Sequence, residues 1–228
     1  MQWLRHPPVE TAATTTGLWS SMIYLARLDS GVVAVDLGWV GSEGVLSDAL
    51  FAMGASAADV RWVFLTHSHR DHIAEWRRVS HATFYLSAPE SALFVGGAMH
   101  RGPFTRFVER LRPTPLPAPG QLRIRTFSRD TSFVFGRDTV RAFPVPGHTA
   151  GSAAYLVRRR QFVGDAVNML PIVGFRKARW IYSDDVEQST ASLRALWRTL
   201  AVDSMRIVCT AHGKCALDSP ALREAALH

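Results

Sequence analysis

The stretch of sequence that decides the fold is Thr66-His67-Ser68-His69-Arg70-Asp71-His72. It directly follows Trp62-Val63-Phe64-Leu65, a short apolar run typical of a buried strand. Three histidines and an aspartate therefore leave one strand on a tight loop, which can aim alternate side chains into one cavity. Imidazole and carboxylate groups suit a borderline ion such as zinc. Chance placement of this pattern in the chain has a probability of about 0.0007, so the stretch predicts a metal-binding loop.

Three more polar groups stand at the ends of predicted strands. His148 lies in Pro146-Gly147-His148-Thr149-Ala150-Gly151-Ser152, immediately before a strand, while Asp165 follows Gly164 at the end of another and His212 follows the last strand. Each is a weak signal alone, because a single His or Asp at a strand end is usually a hydrogen-bonded loop residue. Together with the 66–72 loop they provide five histidines and two aspartates, enough ligands for two metal ions that share a bridging ligand.

Strands and helices are mixed along the rest of the chain. The apolar patterns predict strands at 21–28, 32–35, 62–65, 83–86, 122–127, 132–135, 139–145, 152–157, 161–164 and 206–210. They predict helices at 43–53, 73–79 and 184–200, a helical region at 89–112 broken at Gly96-Gly97, and a last helix starting at Ser219-Pro220. Asp184 is the predicted N-cap of the 184–200 helix, with Glu187 completing a capping box. This order predicts an α/β fold in a single domain over 1–228, with a helical excursion at 89–112.

Composition excludes several classes of protein. The chain has 228 residues, 47% hydrophobic and 20% charged, with a mean hydropathy of +0.03, which is unlike a disordered chain. Its net charge of +7 comes mostly from scattered arginines rather than a basic stripe, which makes a nucleic-acid partner an unfavoured interpretation. Cys209 and Cys215 are expected to be unpaired. Because no secretion-signal pattern or long apolar run occurs, we expect a cytoplasmic protein without a membrane segment.

Five short motifs together resemble the metallo-β-lactamase-fold hydrolase superfamily. They are VDLG, THSHRDH, GHTAGS, GDA and AHG, which follow one another in this order between Ser21 and His212. The resemblance implies an αββα sandwich of two mixed β-sheets flanked by helices, with two zinc ions, or iron or manganese, at one sheet edge. It implies that one ion is held by His67, His69 and His148, that the second is held by Asp71, His72 and His212, and that Asp165 bridges them. Asp36 would orient a ligand histidine.

The resemblance also implies the chemistry. A metal-bound hydroxide would attack a carboxylic ester, thioester or lactone, with a lactam as a further option, while Asp71 passes a proton to the leaving group. The bridging Asp165 is typical of the glyoxalase II-like and lactonase-like branches rather than of true β-lactamases. Asn168 stands where the lactonases carry a tyrosine and would donate a hydrogen bond to the substrate carbonyl. Trp39 and Met169 are expected to line the pocket of a small-molecule acyl substrate.

Other functions stay open at this point. A phosphodiesterase acting on nucleotides or RNA is favoured by the positive charge, although no nucleic-acid-binding arm is recognisable. A non-catalytic metal-binding protein and a mononuclear iron dioxygenase on the same ligands are further alternatives. The 92–112 segment is either an amphipathic lid over the site or an ordinary packed helix. The sequence does not predict the oligomeric state.

Overall fold

The computed structural model describes residues 10–16, 19–39, 44–96, 98–111, 115–170, 174–213 and 215–228. Within these ranges two six-stranded mixed sheets pack face to face. The first sheet has the spatial order β1 (Glu10–Thr16), β2 (Trp19–Leu28), β3 (Gly31–Val35), β4 (Val60–Phe64), β5 (Thr83–Ser87) and β6 (Arg123–Phe127). Strand β2 is antiparallel to both of its neighbours, β1 and β3, and β3 to β6 run parallel.

The second sheet uses strands from the later part of the chain. They are β7 (Thr131–Phe135), β8 (Asp138–Pro144), β9 (Ala153–Val157), β10 (Arg160–Phe162), β13 (Ile207–Cys209) and β14 (Cys215–Leu217), in the spatial order β14-β13-β10-β9-β8-β7. A separate hairpin pairs β11 (Val167–Leu170) with β12 (Gly174–Lys177). Only β10 and β13 are parallel among the described pairs of the second sheet.

Four helices cover the outer faces of the sheets: α1 (Val45–Ala52), α2 (Ala88–Phe94), α4 (Val186–Thr199) and α5 (Pro220–Ala225). A further helix, α3 (Pro103–Leu111), buries none of its residues in the core clusters. One core cluster joins the first sheet to α1 and α2, a second fills the space between the sheets, and a third joins the second sheet to α4 and α5. This four-layer arrangement confirms the predicted αββα sandwich.

Strand β3 shows why its sequence is apolar throughout. Val32 and Ala34 belong to the cluster beneath the helices, whereas Val33 and Val35 belong to the cluster between the sheets. Successive side chains of a strand point to opposite faces. Because both faces of this sheet are covered, no position on β3 can be polar, and the chain emerges from the core at Asp36.

Two predicted helix starts are wrong. The 73–79 segment forms only a 3₁₀ turn at Trp76–Val79, because its first amides and carbonyls pair with another loop: Leu37 donates to the His72 carbonyl and Glu75 to that of Leu37. Helix α4 is capped by Asp185, whose carboxylate accepts from the Gln188 amide. The Asp184 carboxylate is used elsewhere, since it accepts the backbone amides at 101, 102 and 150.

The 89–112 region contains two helices, α2 and α3, and its interruption extends to Gly102 rather than ending at the glycine pair. Gly97 itself lies outside the described residues. The predicted Ser219 cap is confirmed, because its hydroxyl accepts from the Leu222 amide.

The two cysteines differ from the sequence expectation. Cys209 and Cys215 face each other in the register of β13 and β14, and they form a disulfide. Disulfides are uncommon in cytosolic proteins, so this bond does not support the expected cytoplasmic location, which stays a prediction. Among the described helices, none is long and apolar enough to cross a membrane.

Candidate metal centre

The predicted ligands meet at one edge of the sandwich. The 66–72 loop leaves β4, and the loop carrying His148 precedes β9. Asp165 lies in a short turn after β10, and His212 lies in the connection from β13 to β14. Strands from both sheets therefore deliver side chains to the same place, although the residues are up to 145 positions apart along the chain, counted from His67 to His212.

The first cluster consists of His67, His69 and His148, all buried. The His148 Nε2 atom lies 3.2 Å from His67 Nε2 and 3.1 Å from His69 Nδ1. A neutral imidazole carries one proton, on one of its two nitrogens. Three ring nitrogens converge on one point here, so this arrangement suits a cation at their centre better than hydrogen bonds among themselves.

The second cluster consists of Asp71, His72 and His212. His212 Nε2 lies 3.2 Å from Asp71 Oδ2 and also 3.2 Å from Asp165 Oδ2. The same Asp165 oxygen is 3.7 Å from His148 Nε2, and the other, Oδ1, is 3.9 Å from His72 Nε2. Asp165 thus lies between the two clusters, where the sequence predicts a bridging ligand.

Two buried polar atoms support metal ions in this arrangement. His72 Nε2 and Asp165 Oδ1 have no hydrogen-bond partner within the described part of the chain. Leaving such groups unpaired in a protein interior costs about 1–3 kcal/mol each. Both atoms face the space between the clusters, so the donor set fits two divalent ions with nitrogen and oxygen ligands.

Hydrogen bonds at the far side of three of the ligand rings, those of His67, His72 and His148, fix which nitrogen faces the centre. His72 Nδ1 donates to Asp36 Oδ2 at 3.0 Å, the orienting role predicted for Asp36. His67 Nδ1 is 3.1 Å from the Thr66 hydroxyl, and His148 Nδ1 is 3.0 Å from the Ser183 hydroxyl. With those nitrogens protonated, each Nε2 is left as a lone-pair donor. Sequence reasoning missed Ser183, which precedes Asp184 on a loop with no motif of its own.

Charge is balanced by protons when ions are absent. Burial lowers the pKa of His72, but the carboxylates of Asp71 and Asp36 outweigh burial and raise it to about 9. Burial likewise opposes protonation of His212, yet Asp165 and Asp71 hold its pKa well above the usual range. In the first cluster, burial and the neighbouring imidazoles keep the pKa of His67 low. Metal ions would therefore displace protons from the second cluster, and metal affinity should rise with pH.

Two glycines allow the ligand loops to pack closely. Gly147 has φ +133°, and a Cβ there would lie 2.1 Å from the amide nitrogen of Ser189. Gly164 has φ +55°, and a Cβ there would lie 2.7 Å from Thr66 Cβ. Both conformations favour glycine. Any other residue would move His148 or Asp165, each of which follows its glycine directly.

The structure also places the other predicted site residues. The side-chain Nδ2 of Asn168 donates to the backbone carbonyl oxygen of Asp165 at 3.4 Å. This hydrogen bond satisfies a polar group of the loop backbone. The oxyanion role of Asn168 stays a prediction. Trp39 is half-buried and lies beneath the guanidinium of Arg70, 5.6 Å from the ring centre. Met169 packs beside the loop that carries His212, since its amide donates to the His212 carbonyl.

A family model described as the metallo-beta-lactamase superfamily matches residues 16–203. The chain belongs to the metallo-beta-lactamase superfamily. This membership confirms the family indicated by the five motifs. It accounts for the order in which the ligand loops occur along the chain.

Two curated relatives of this superfamily member have enzymatic names. A probable polyketide biosynthesis zinc-dependent hydrolase, BaeB, of Bacillus velezensis is 29% identical over 155 residues, covering 66% of this chain and 56% of the relative. A hydroxyacylglutathione hydrolase of a Shewanella species is 29% identical over 147 residues, covering 64% of this chain and 47% of the relative. The chain thus spans about half the length of the curated relatives that it matches.

Solved structures of the superfamily share the fold. An archaeal member from Sulfolobus tokodaii superposes with a TM-score of 0.67 at 19% identity, covering 97% of this chain and 86% of that one. The metallo-beta-lactamase MIM-1 of Novosphingobium pentaromativorans gives 0.66 at 20% identity, covering 97% and 88%. At these identities the likeness shows the fold alone.

Proposed function

We propose that this chain is a dinuclear zinc-dependent hydrolase of carboxylic esters, thioesters or lactones. The observation that carries the proposal is the position of Asp165, whose two carboxylate oxygens face a histidine of each cluster. Two like-charged ions placed about 3.5–4 Å apart need an anionic bridge. The names of the two curated relatives, a zinc-dependent hydrolase and a hydroxyacylglutathione hydrolase, support the same class of reaction.

Zinc ions held by these ligands would supply a Lewis acid and lower the pKa of water to about 7. The chain's own residues handle the proton. Asp71 lies 3.2 Å from His212 Nε2 and is partly exposed, with 14% of its side-chain surface accessible. The positive charges of His72 and His212 overcome the effect of burial and hold the pKa of Asp71 well below its usual range. In the metal-free protein Asp71 is thus ionised, as a ligand of a cation must be. We propose that in the zinc-loaded protein it also passes a proton to the leaving group.

A substrate panel tests the proposed reaction class. We expect zinc-loaded protein to hydrolyse thioesters or lactones faster than lactams, bis-aryl phosphodiesters or tRNA precursors. The physical reason is that the arginines are spread along the sequence rather than gathered in one basic stripe, which is what a polyanion would require. Initial rates on matched chromogenic substrates are the measurement. Faster phosphodiester cleavage that falls steeply with added salt would instead assign the enzyme to nucleotides or RNA.

An exposed apolar strip beside the centre favours an acyl substrate. Helix α3 presents Phe104, Phe107 and Leu111 on one flank, each well exposed. The ring of Phe104 packs edge-on against Tyr182, with centroids 5.1 Å apart. Tyr182 directly precedes Ser183, whose hydroxyl lies 3.0 Å from Nδ1 of the ligand His148. From Phe104 to Leu111 the flank is about 10 Å long, the length of seven helical residues.

We propose that this strip holds the acyl chain of the substrate. Replacing Phe107 with serine should lower kcat/KM for a decanoyl thioester about tenfold, because about 1.4 kcal/mol of apolar contact is lost. The kcat/KM for the acetyl analogue should not change, since its chain does not reach α3. Phe51→Ser is the matched control, because Phe51 is 83% exposed on α1. Equal losses for both chain lengths, or equal losses in both variants, would contradict an acyl site on α3.

A further inference from the structure

We propose that Glu90 is a positioning residue, which holds the two loops of the first metal cluster in their ligating geometry. Glu90 lies on α2 and is completely buried. Its Oε1 accepts from both the amide and the hydroxyl of Ser68 at 2.5 Å, and its Oε2 accepts from the Thr149 hydroxyl at 2.5 Å. This inference rests on the metal centre of the proposed function and concerns how the chain builds it.

The partners of Glu90 are the residues next to the ligands. Ser68 stands between His67 and His69, and Thr149 directly follows His148. These ligands come from loops 81 residues apart in sequence. The Glu90 carboxylate is thus hydrogen-bonded to residues that are directly adjacent in sequence to all three ligands of the first cluster.

The backbone around Glu90 is shaped to let it reach both loops. The Ser87 hydroxyl, at the start of α2, donates to the Gly151 carbonyl at 2.5 Å. A Cβ on Gly151 would lie 2.1 Å from the Glu90 amide nitrogen, so only glycine permits this approach. The backbone of α2 at Glu90 is therefore in close contact with the loop that carries His148.

Burying a carboxylate between two loops costs desolvation free energy. Burial raises the pKa of Glu90, while hydrogen bonds from Ser68 and Thr149 oppose that rise. An apolar pair of similar volume would avoid this cost. The directed hydrogen bonds do something that apolar packing does not, since they fix the orientation of the backbone on which the three imidazoles stand.

Asp36 occupies the equivalent position for the second cluster. Its Oδ1 accepts from the Thr66 amide at 2.7 Å, and its Oδ2 accepts from the Thr66 hydroxyl at 2.7 Å and from His72 Nδ1. The 66–72 loop is thus held from one side by Asp36 and from the other by Glu90. The proposal therefore predicts a selective effect, in which Glu90 sets metal affinity at the three-histidine cluster only.

The test isolates each cluster in turn. In a His212→Ala background the three-histidine cluster is the complete one, and we expect Glu90→Gln to weaken Zn²⁺ and Co²⁺ binding by about 10- to 100-fold, the usual effect of losing a group that orients ligands. In a His148→Ala background, Glu90→Gln should leave metal affinity unchanged. Chelator-competition titration gives the affinities, and the Co²⁺ absorption spectrum should change only in the first background.

Two further variants distinguish a positioning role of Glu90 from a general loss of stability. Asp218→Asn is the matched control, because Asp218 is also a buried, hydrogen-bonded carboxylate but pairs with Arg223 and Arg206 away from the centre. It should lower the melting temperature without changing metal affinity. If Glu90→Gln does not fold, Thr149→Val removes the same contact from the other side and should weaken binding in the same background.

Unchanged metal affinity and an unchanged Co²⁺ spectrum in both Glu90→Gln and Thr149→Val would overturn the positioning role. That result differs from failure of the proposed function, in which the unaltered protein itself holds no ion.

Discussion

Replacing Asp165 with alanine is expected to reduce bound metal from about two ions per chain to about one and to lower turnover on the order of a thousandfold. Among the residues that the structure describes, Asp165 is the carboxylate between the clusters, so without it the second ion would be repelled by the first. Loss of one Lewis acid removes several kcal/mol of transition-state stabilisation, at 1.36 kcal/mol for each tenfold in rate. Elemental analysis of the purified variant and kcat on the best acyl substrate are the measurements.

The control for Asp165 is a carboxylate that forms an ion pair away from the centre. Asp203 pairs with Arg159 on the surface, so Asp203→Ala should keep both ions and full activity. An Asp165→Ala protein that still holds two ions and turns over at the normal rate would show that the carboxylate does not bridge.

Replacing Asp71 with asparagine is expected to lower kcat by about 10²- to 10⁴-fold, the usual contribution of a positioned proton-transfer group. Asparagine keeps the volume and one oxygen of the side chain but cannot carry the proton. The loss should depend on the leaving group. It should be large for an alkyl ester, whose leaving alkoxide needs a proton, and small for a nitrothiophenyl thioester, whose thiolate leaves without one.

The comparison of leaving groups separates proton transfer from metal binding. If Asp71→Asn slows both substrates equally, Asp71 acts only as a ligand of the second cluster. Metal content of the same variant, measured by elemental analysis, shows whether that cluster has lost its ion. A leaving-group-dependent loss with both ions retained supports the proton role.

Much of the centre could be predicted from sequence because its ligands come from short motifs at strand ends. A histidine-rich loop after an apolar run needs no knowledge of distant contacts to be recognised. The continuous apolar run of β3 likewise predicts a strand buried on both faces. These signals are local, which is why they indicate an α/β fold and seven candidate ligands, whereas the αββα order and the assignment of the ligands to two ions came from the family resemblance.

The residues that hold the centre in place could not be predicted in this way. Glu90 and Ser183 act through contacts with loops that are distant in sequence, and their own surroundings, an ordinary helix start and a turn, carry no motif. The N-cap of α4 shows the same limit. Asp184 and Asp185 are equivalent candidates in sequence, and tertiary contacts of Asp184 with the 101–102 backbone decide which of them caps the helix.

The pairing of Cys209 with Cys215 was also beyond local reasoning. It depends on β14, a three-residue strand whose apolar pattern is too short to be predicted, and on its register with β13. The hairpin β11–β12 was missed for a similar reason, since its strands have four residues each. Short strands depend on their partners for stability.

The central claim is that the two clusters hold a pair of divalent ions around Asp165. Elemental analysis of the unaltered protein, purified without chelator and dialysed against metal-free buffer, tests it most directly. We expect close to two equivalents of zinc, or of iron or manganese, per chain. Less than a tenth of an equivalent of any transition metal, in protein that is folded and has been offered zinc, would contradict the account.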